Sequence, residues 1–226
     1  MTAELALIGA GAMGGAIGAR FRATGHLLRV FDLDSARVAT LTAQGAVAAG
    51  SAAEAARQAQ AVILSLNSAR IVEAAVFGPA GVAEGAAAGT LIIDMSSIDP
   101  AATRDLAQRA AEAGLAWVDA PLSGGAPKAA TGELTLMLGG ADADVDRARP
   151  VLAAVAANIT HMGPAGGAGD QAHQPGAERA ELPRRGRGDG PGRGGRDRRR
   201  AHPPGAEGRA RRQRHPAGIH AALCHP

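Results

Sequence analysis

Short apolar runs alternate with longer, Ala-rich amphipathic stretches over residues 1 to about 163. Runs of this kind are typical of buried strands, and the stretches between them are typical of helices that cover a parallel sheet. The pattern predicts six strands, at 5–8, 27–31, 61–66, 90–94, 115–118 and 134–138. We therefore expect an α/β fold with a doubly wound, Rossmann-like, mainly parallel sheet and helices on both faces.

Residues with strong local preferences mark several helix ends. Glycines that can adopt the left-handed conformation follow helical stretches and indicate C-terminal ends, at Gly25, Gly45 and Gly114. Capping side chains, or a proline at the first helical position, indicate helix starts at Ser35, Ser51 and Asp99-Pro100. These signals agree with the strand and helix order that the apolar runs predict.

The first predicted strand leads directly into a glycine loop, Gly9-Ala-Gly11-Ala-Met-Gly14, which opens a helix. Glycines here permit a tight turn, close approach of the backbone to a pyrophosphate and close packing of helix on strand, while the helix N-terminus attracts the phosphates. Asp32 ends the second predicted strand, 18 residues beyond Gly14. An acid at this point can accept hydrogen bonds from ribose hydroxyls and would repel a 2′-phosphate. The loop therefore predicts NAD as cofactor, while Arg29 and Arg37 nearby leave NADP possible.

Two further polar segments follow predicted strands, at the edge of the sheet where ligands bind in this fold class. In DAPLSGG, the hydroxyl of Ser123 and the N–H groups of Gly124 and Gly125 could hold a carboxylate, although the segment could equally be a simple turn. In DMSSIDP, Ser96 could contact the nicotinamide side of a cofactor, and Asp99 could instead cap the next helix. We expect capping to be at least part of the role of this second segment.

Charge and composition divide the chain in two. Residues 1–169 carry 11 Lys and Arg against 15 Asp and Glu, whereas residues 170–226 carry 13 Arg against 6 acids, with ten Gly and seven Pro. The second segment has almost no large aliphatic side chains, so burial cannot offset the entropy of ordering it. We therefore expect a dinucleotide-binding domain at 1–165 and a disordered Arg/Gly/Pro-rich tail at 166–226.

The remaining composition excludes several classes of protein. Cys224 is the sole cysteine, and no stretch resembles a signal peptide or reaches the length of a membrane span. The histidines and Cys224 of the tail lack any recognisable metal-ligand spacing, so we expect no metal site. These features favour a cytoplasmic enzyme with no membrane partner.

Four motifs, in order and spacing, resemble the β-hydroxyacid dehydrogenase family: GAGAMGGAIGARF, DMSSIDP, DAPLSGG and GELTLMLGG. The resemblance covers residues 4 to about 169. It implies an NAD(P)-dependent oxidoreductase of the 3-hydroxyisobutyrate dehydrogenase type, which moves hydride between the nicotinamide and a small 3-hydroxy acid or its semialdehyde. A 2-hydroxy-3-oxopropionate (tartronate semialdehyde) reductase is the alternative within the family.

The resemblance also implies roles for individual residues. Met13 should border the nicotinamide, Leu66 and Asn67 should end a strand beside the cofactor, and Ser96 should lie near the nicotinamide. Ser123, Gly124 and Gly125 should hold the substrate carboxylate. Gly9, Gly11, Gly14 and Asp32 should bind the rest of the cofactor.

The resemblance stops where the family continues into a helix that opens with Lys-x-x-Asn, whose lysine is the general acid/base. Gln171 and Pro175 stand near the expected positions, and neither can transfer that proton. The codons for residues 170–177, read one base later, permit TKLINQAL, which contains the missing motif. The match is constrained, because in that frame His173 can give only Ile or Thr, and Gln174 only Asn or Ser.

We therefore hypothesise that a single-base frameshift near residues 166–169 replaced the family's all-α second domain. The chain would then bind cofactor, lack an intact catalytic residue and lose the family's oligomerisation. A different class of function is a dinucleotide-binding module with a basic, nucleic-acid-binding tail. That tail lacks interleaved aromatic residues and its acids dilute its charge, so we expect no specific nucleic-acid partner.

Overall fold

The computed structural model describes residues 3–167, and the expectations for the basic segment, Gln171 included, lie outside the described residues. The strands in this range are β1 (Glu4–Ile8), β2 (Leu27–Phe31), β3 (Val47–Ala48), β4 (Ala61–Leu64), β5 (Leu91–Asp94), β6 (Ala116–Asp119), β7 (Leu122–Ser123), β8 (Leu134–Gly140) and β9 (Ala156–His161). The helices are α1 (Ala12–Ala23), α2 (Ser35–Thr42), α3 (Ala52–Ala56), α4 (Ala69–Phe77), α5 (Val82–Gly85), α6 (Pro100–Glu112), α7 (Gly125–Thr131) and α8 (Asp142–Leu152).

The sheet has the strand order β3-β2-β1-β4-β5-β6-β8-β7, with β9 paired to β8. The six strands from β3 to β6 run parallel, β8 runs antiparallel to β6 and β7, and β9 runs parallel to β8. The chain builds outward from β1, first to β2 and β3 and then to β4, β5 and β6. This reversal at β1 creates the crevice in which doubly wound folds bind ligands.

Helices cover both faces of the sheet, because side chains alternate along each strand. In β1, Leu5 and Leu7 join one apolar cluster with Ile17 and Phe21 of α1. Ala6 and Ile8 point the other way, into a second cluster that contains residues of α3, α4 and α6. The expected fold class, a Rossmann-like and mainly parallel sheet between two helical layers, is confirmed.

All six predicted strands are present, with ends that differ by up to two residues. Gly25, Gly45 and Gly114 have positive φ angles after helices, as predicted. Two of the predicted helix starts are capped by the expected side chains of Ser51 and Asp99. The helix at Ser35 begins where expected, but its cap is the side chain of Asp34.

Three strands were not predicted. Strands β3 and β7 have two residues each, which is too short to produce a visible alternation. Strand β9 contains Asn158, Thr160 and His161 and is largely exposed, so it lacks the apolar run that marks a buried strand. Its pairing with β8 comes from the fold, because the backbone ladder holds a polar strand once the neighbouring strand is fixed.

Candidate functional site

The glycine loop between β1 and α1 is packed so closely that two of its glycines have no room for a side chain. Gly9 has φ +93°, and a Cβ built on it would lie 2.4 Å from the Ser65 carbonyl oxygen. A Cβ on Gly14 would lie 2.0 Å from the Gly9 carbonyl oxygen. The loop therefore holds the start of α1 directly against the ends of β1 and β4, as the sequence motif predicted.

Gly11, the residue that precedes α1, differs from these two glycines. Its φ is −61°, and the nearest atom to a Cβ built on it is Nη1 of Arg37, 3.9 Å away. No side chain caps α1, so the first N–H groups of this 12-residue helix face open space at Gly11. Uncapped N–H groups together with the positive end of the helix dipole form a site that favours a phosphate.

Asp32 fixes the glycine loop relative to the second strand. Its Oδ2 accepts a 2.6 Å hydrogen bond from the Ala10 N–H, and its Oδ1 accepts a 2.8 Å bond from the Asp34 N–H. Each carboxylate oxygen can accept a second hydrogen bond, so both can still receive a ribose hydroxyl. The structure therefore gives Asp32 a role in holding the loop that the sequence did not indicate.

Of the two arginines considered for a 2′-phosphate, Arg37 lies beside Asp32. Its Nε is 3.2 Å from Oδ2 of Asp34, and its Nη1 is 3.8 Å from Oδ2 of Asp32. Arg29 instead donates a 2.7 Å hydrogen bond to the Gln58 side chain. Arg37 is thus a cation at the Asp32 end of the cavity, with two carboxylates beside it.

A cavity of about 720 Å³ runs along this edge of the sheet. Its wall contains five of the predicted cofactor residues: Gly9, Gly11, Asp32, Leu66 and Asn67. Leu66 and Asn67 lie just beyond β4, which ends at Leu64, so the expectation that they end the strand is off by two to three residues. Met13 and Gly14 are not in the wall; Met13 is half-buried and packs against the apolar cluster around α1.

Two apolar side chains in the cavity wall were missed by the sequence analysis. Leu33 is 94% exposed and Ile71 is 40% exposed, although large aliphatic side chains are usually buried. Exposed apolar groups that flank a cavity are typical of a surface for a flat, apolar ring. A possible signal was the position of Leu33 directly after the acid of the dinucleotide motif, at the end of a strand.

Ser96 is buried behind the cavity and holds part of its wall. Its Oγ accepts a 3.0 Å hydrogen bond from the Leu66 N–H, and its own N–H donates a 2.9 Å bond to Oδ1 of Asp94. Ser96 is not in the cavity wall of this structure. The structure therefore links Ser96 to the predicted cofactor site through the backbone of Leu66.

Asp94 is an acid at the buried end of β5. Burial raises the pKa of its carboxyl from the ordinary value of 3.8 to about 6; Asp119 adds to the rise, while hydrogen bonds from the Ser96 hydroxyl and N–H counter it. Asp119 is its register partner on β6. Two acids thus lie side by side, where parallel strands end beneath the candidate site.

The raised pKa of Asp94 predicts a stability that falls as the pH rises. The folded chain holds this proton up to about pH 6 and the unfolded chain releases it near 3.8, so the free energy of unfolding decreases between these values. The loss is on the order of 3 kcal/mol. Urea unfolding followed by the fluorescence of the sole tryptophan, Trp117, should show this decrease, and Asp94→Asn should remove it. Parallel curves for the two proteins between pH 4 and 6 would contradict it.

The Ser123-Gly124-Gly125 segment is exposed and joins the last residue of β7 to the first residue of α7. Gly124 and Gly125 have φ angles of +129° and +73°, which explains the two glycines. A Cβ on Gly124 would lie 2.8 Å from Cδ of Lys128, so the stem of that lysine covers the turn. Helix α7 packs against α1, but none of the three turn residues is in the wall of the 720 Å³ cavity.

The Gly-Pro-Ala-Gly turn after β9 is anchored to the end of β6. The Gly166 N–H donates a 2.9 Å hydrogen bond to Oδ1 of Asp119. A Cβ on Gly166 would lie 2.9 Å from both the Pro100 carbonyl oxygen and Cγ of Arg104. The last described residues therefore leave the sheet at the same edge as the cavity, beside Asp94 and Asp119.

Within residues 3–167, no group of three or more His, Cys, Asp or Glu side chains is placed to hold a metal ion. None of the helices in this range combines the length and apolar character that a membrane crossing requires.

A family model described as the NAD binding domain of 6-phosphogluconate dehydrogenase matches residues 4–163. The match includes the glycine loop, Asp32 and the ends of the strands that carry Ser96 and Ser123. The chain belongs to the β-hydroxyacid dehydrogenase family. The resemblance seen in its motifs is thereby confirmed, and NAD(P) is the cofactor type of the matched domain.

Relatives within the β-hydroxyacid dehydrogenase family include 2-(hydroxymethyl)glutarate dehydrogenase of Eubacterium barkeri, 41% identical over 74% of this chain and 55% of the relative. NAD-dependent L-serine dehydrogenase of Pseudomonas aeruginosa is 41% identical over 72% of this chain and 55% of the relative. The structure of Mycobacterium tuberculosis 3-hydroxyisobutyrate dehydrogenase with L-serine has a TM-score of 0.72 and 34% identity, covering 76% of this chain and 58% of that one. The chain thus spans about half the length of the curated relatives it matches.

Proposed function

We propose that this chain carries the cofactor half of an NAD(P)-dependent dehydrogenase that acts on small 3-hydroxy acids. The observation that carries the proposal is the open space at Gly11, where the uncapped N-terminus of a 12-residue helix faces a cavity of about 720 Å³. A pyrophosphate fits this arrangement in charge, in hydrogen bonding and in the absence of a side chain. Isothermal titration of the full chain with NAD and NADP tests it, and no binding of either would contradict it.

The cavity residues divide naturally between the two halves of a dinucleotide. Asp32 offers acceptor oxygens to the adenosine ribose, and the exposed apolar groups of Leu33 and Ile71 suit the adenine ring. Leu66 and Asn67 lie beyond β4, across β1 from Asp32, and would border the nicotinamide half. When bound, NAD(P) supplies the carbon that accepts or donates hydride.

The proposed substrate class rests on the chemistry shared by the three relatives named above. Serine, 3-hydroxyisobutyrate and 2-(hydroxymethyl)glutarate, which appear in their names, all carry a hydroxymethyl group on the carbon next to a carboxylate. We propose the same group for the substrate of this chain, with its carboxylate held by the Ser123 hydroxyl and the N–H groups of Gly124 and Gly125. The reduced form of tartronate semialdehyde carries the same hydroxymethyl group, so the proposed substrate class includes it.

Asp32 should favour NAD over NADP, because its carboxylate lies where a 2′-phosphate would sit. Asp32→Asn removes the charge, and its one amide oxygen can accept only one of the two backbone N–H groups that Asp32 now holds. Because that loss affects both cofactors alike, we expect the ratio of the NADP to the NAD dissociation constant to fall about tenfold, or about 1.4 kcal/mol. Titration of both cofactors into the full chain measures the ratio.

Asp34→Asn is the matched control for this change. It removes the same charge two residues away, and asparagine caps a helix as well as aspartate does, so α2 should remain intact. Asp34 is about half exposed, so solvent screens its charge and the ratio should change less. An equal change in both variants would show that the net charge of the loop, rather than Asp32, sets the preference.

We further propose that the chain as printed binds cofactor without turning over substrate. Proton transfer to and from the reacting oxygen requires a general acid/base, and the family's lysine has no counterpart at Gln171. The codon arithmetic around residues 170–177 supports a one-base change of reading frame as the origin of this difference.

A further inference from the structure

Asp94 contributes nothing directly to the cavity wall, yet it is connected to that wall by two successive hydrogen bonds. Its Oδ1 accepts the Ser96 N–H at 2.9 Å, and the Ser96 Oγ accepts the Leu66 N–H at 3.0 Å. Leu66 is in the wall of the cavity, and its Cδ2 lies 2.8 Å from where a Cβ of Gly9 would be. The path therefore runs from the end of β5 to a residue that sits over the glycine loop.

The fold alone does not account for a carboxylate at this place. Asp94 is 1% exposed, and no described residue donates a hydrogen bond to its Oδ2. A buried acceptor without a partner raises the free energy of the folded state, and a second acid, Asp119, is its register partner on the next strand. What Asp94 contributes is the position of the groups bound to Oδ1.

Leu66, which Asp94 holds in place through Ser96, lies at one end of the cavity. Asp32 and Arg37 follow β2, on one side of β1, whereas Leu66 follows β4 on the other side. A dinucleotide whose ribose meets Asp32 must therefore extend its other half towards Leu66 and Ser96. Displacement of the Leu66 backbone would change the space for that half and leave the adenosine end unchanged.

We propose that Asp94 is a positioning residue for the nicotinamide half of the cofactor site: it fixes Ser96, and Ser96 fixes the Leu66 backbone. The inference rests on the proposed function, since it assumes that NAD(P) occupies the cavity. A small misplacement of a group that positions a ligand can cost a large factor in binding and rate. We therefore expect that removing the Asp94 carboxylate weakens the binding of the nicotinamide half of the cofactor and leaves the binding of the adenosine half unchanged.

Titration of the full chain with NAD and with ADP-ribose, which lacks the nicotinamide, separates the two halves. Asp94→Ala removes the acceptor for Ser96, so the dissociation constant of NAD should rise about tenfold while that of ADP-ribose changes less than about twofold. Asp94→Asn keeps an acceptor oxygen of the same shape and should restore most of the NAD affinity. Ser96→Ala removes the next bond in the path and should reproduce the selective loss, which keeps the test decisive if Asp94→Ala does not fold.

Asp99→Ala is the control for general destabilisation. Asp99 caps α6 through the N–H groups of Ala101 and Ala102, five residues beyond Asp94. Its loss should lower the unfolding temperature by several degrees without changing the NAD to ADP-ribose ratio. If Asp94→Ala and Ser96→Ala weakened the binding of NAD and of ADP-ribose equally, the positioning role of Asp94 would be overturned. Unchanged binding of both ligands would overturn it as well. If the unchanged chain bound neither ligand, the proposed NAD(P) site would fail, and this inference with it.

Discussion

Reading the gene one base later after residue 169 should produce an active dehydrogenase, whereas we expect no turnover from the present reading frame. The codons for residues 170–177 permit TKLINQAL in that frame, which replaces Gln171 by a lysine. A general acid/base contributes about 10²- to 10⁴-fold to such a reaction, and the positioning groups that accompany it add further to the rate. We expect NADH formation from 3-hydroxy acids only by the protein translated in the shifted frame, called the shifted form below.

The measurement is the rate of NADH formation by the present chain and by the shifted form, with a panel of substrates that includes 3-hydroxyisobutyrate and L-serine. Each sample is also titrated with cofactor. In the shifted form, replacement of the new lysine codon by one for alanine should remove the gain while cofactor binding persists. Sequencing the gene gives an independent check, because codons that forbid the shifted reading would contradict the hypothesis. Turnover by the chain as printed would instead mean that another group, such as Lys128, transfers the proton.

Gly11→Ala should weaken NAD binding about 100-fold and leave the fold intact. A Cβ at this position meets no atom closer than 3.9 Å, and φ is −61°, so the variant should fold without strain. The same methyl group would occupy the space through which a pyrophosphate reaches the N–H groups of α1. We expect the dissociation constant of NAD to rise about 100-fold, or about 2.7 kcal/mol, with no change in the unfolding temperature.

Two neighbouring glycines of α1 provide matched comparisons. A Cβ on Gly15 would lie 3.4 Å from the Ala10 carbonyl oxygen, an ordinary contact, so Gly15→Ala should stabilise the helix by about 0.5–1 kcal/mol and keep NAD affinity. A Cβ on Gly14 would lie 2.0 Å from the Gly9 carbonyl oxygen, so Gly14→Ala should disrupt folding itself. Unchanged NAD binding by Gly11→Ala would mean that the phosphates do not approach this loop.

Only the structure distinguishes the three glycines of the loop from one another. The sequence motif treats Gly9, Gly11 and Gly14 as one signal, because the spacing of a dinucleotide loop can be seen without coordinates. The packing distances assign Gly9 and Gly14 to contacts within the protein and leave Gly11 facing open space. Sequence therefore indicated the loop, and tertiary packing separated the two glycines that pack within the protein from the one that we propose binds the phosphates.

Two of the contacts that sequence analysis missed join residues far apart in the chain. The bond from Leu66 to Ser96 spans 30 residues, and the bond from Gly166 to Asp119 spans 47. Such pairs depend on which strands are neighbours and in what register, and neither property is written in a local pattern of apolar positions. The exposed apolar group of Leu33 was missed for the same reason, since only the cavity around it gives it a role.

The sequence by itself determined the fold class, the glycine loop of a dinucleotide-binding motif, the acid at Asp32 and the absence of the Lys-x-x-Asn motif, because each depends on residues adjacent or periodic along the chain. The tertiary structure alone decided that Gly11 faces open space, that Leu33 and Ile71 flank the cavity, and that Asp94 lies beside Asp119 with a link to Leu66. The physical reason is the order of the parallel strands, which brings the ends of β2, β4, β5 and β6 to one edge from distant parts of the chain.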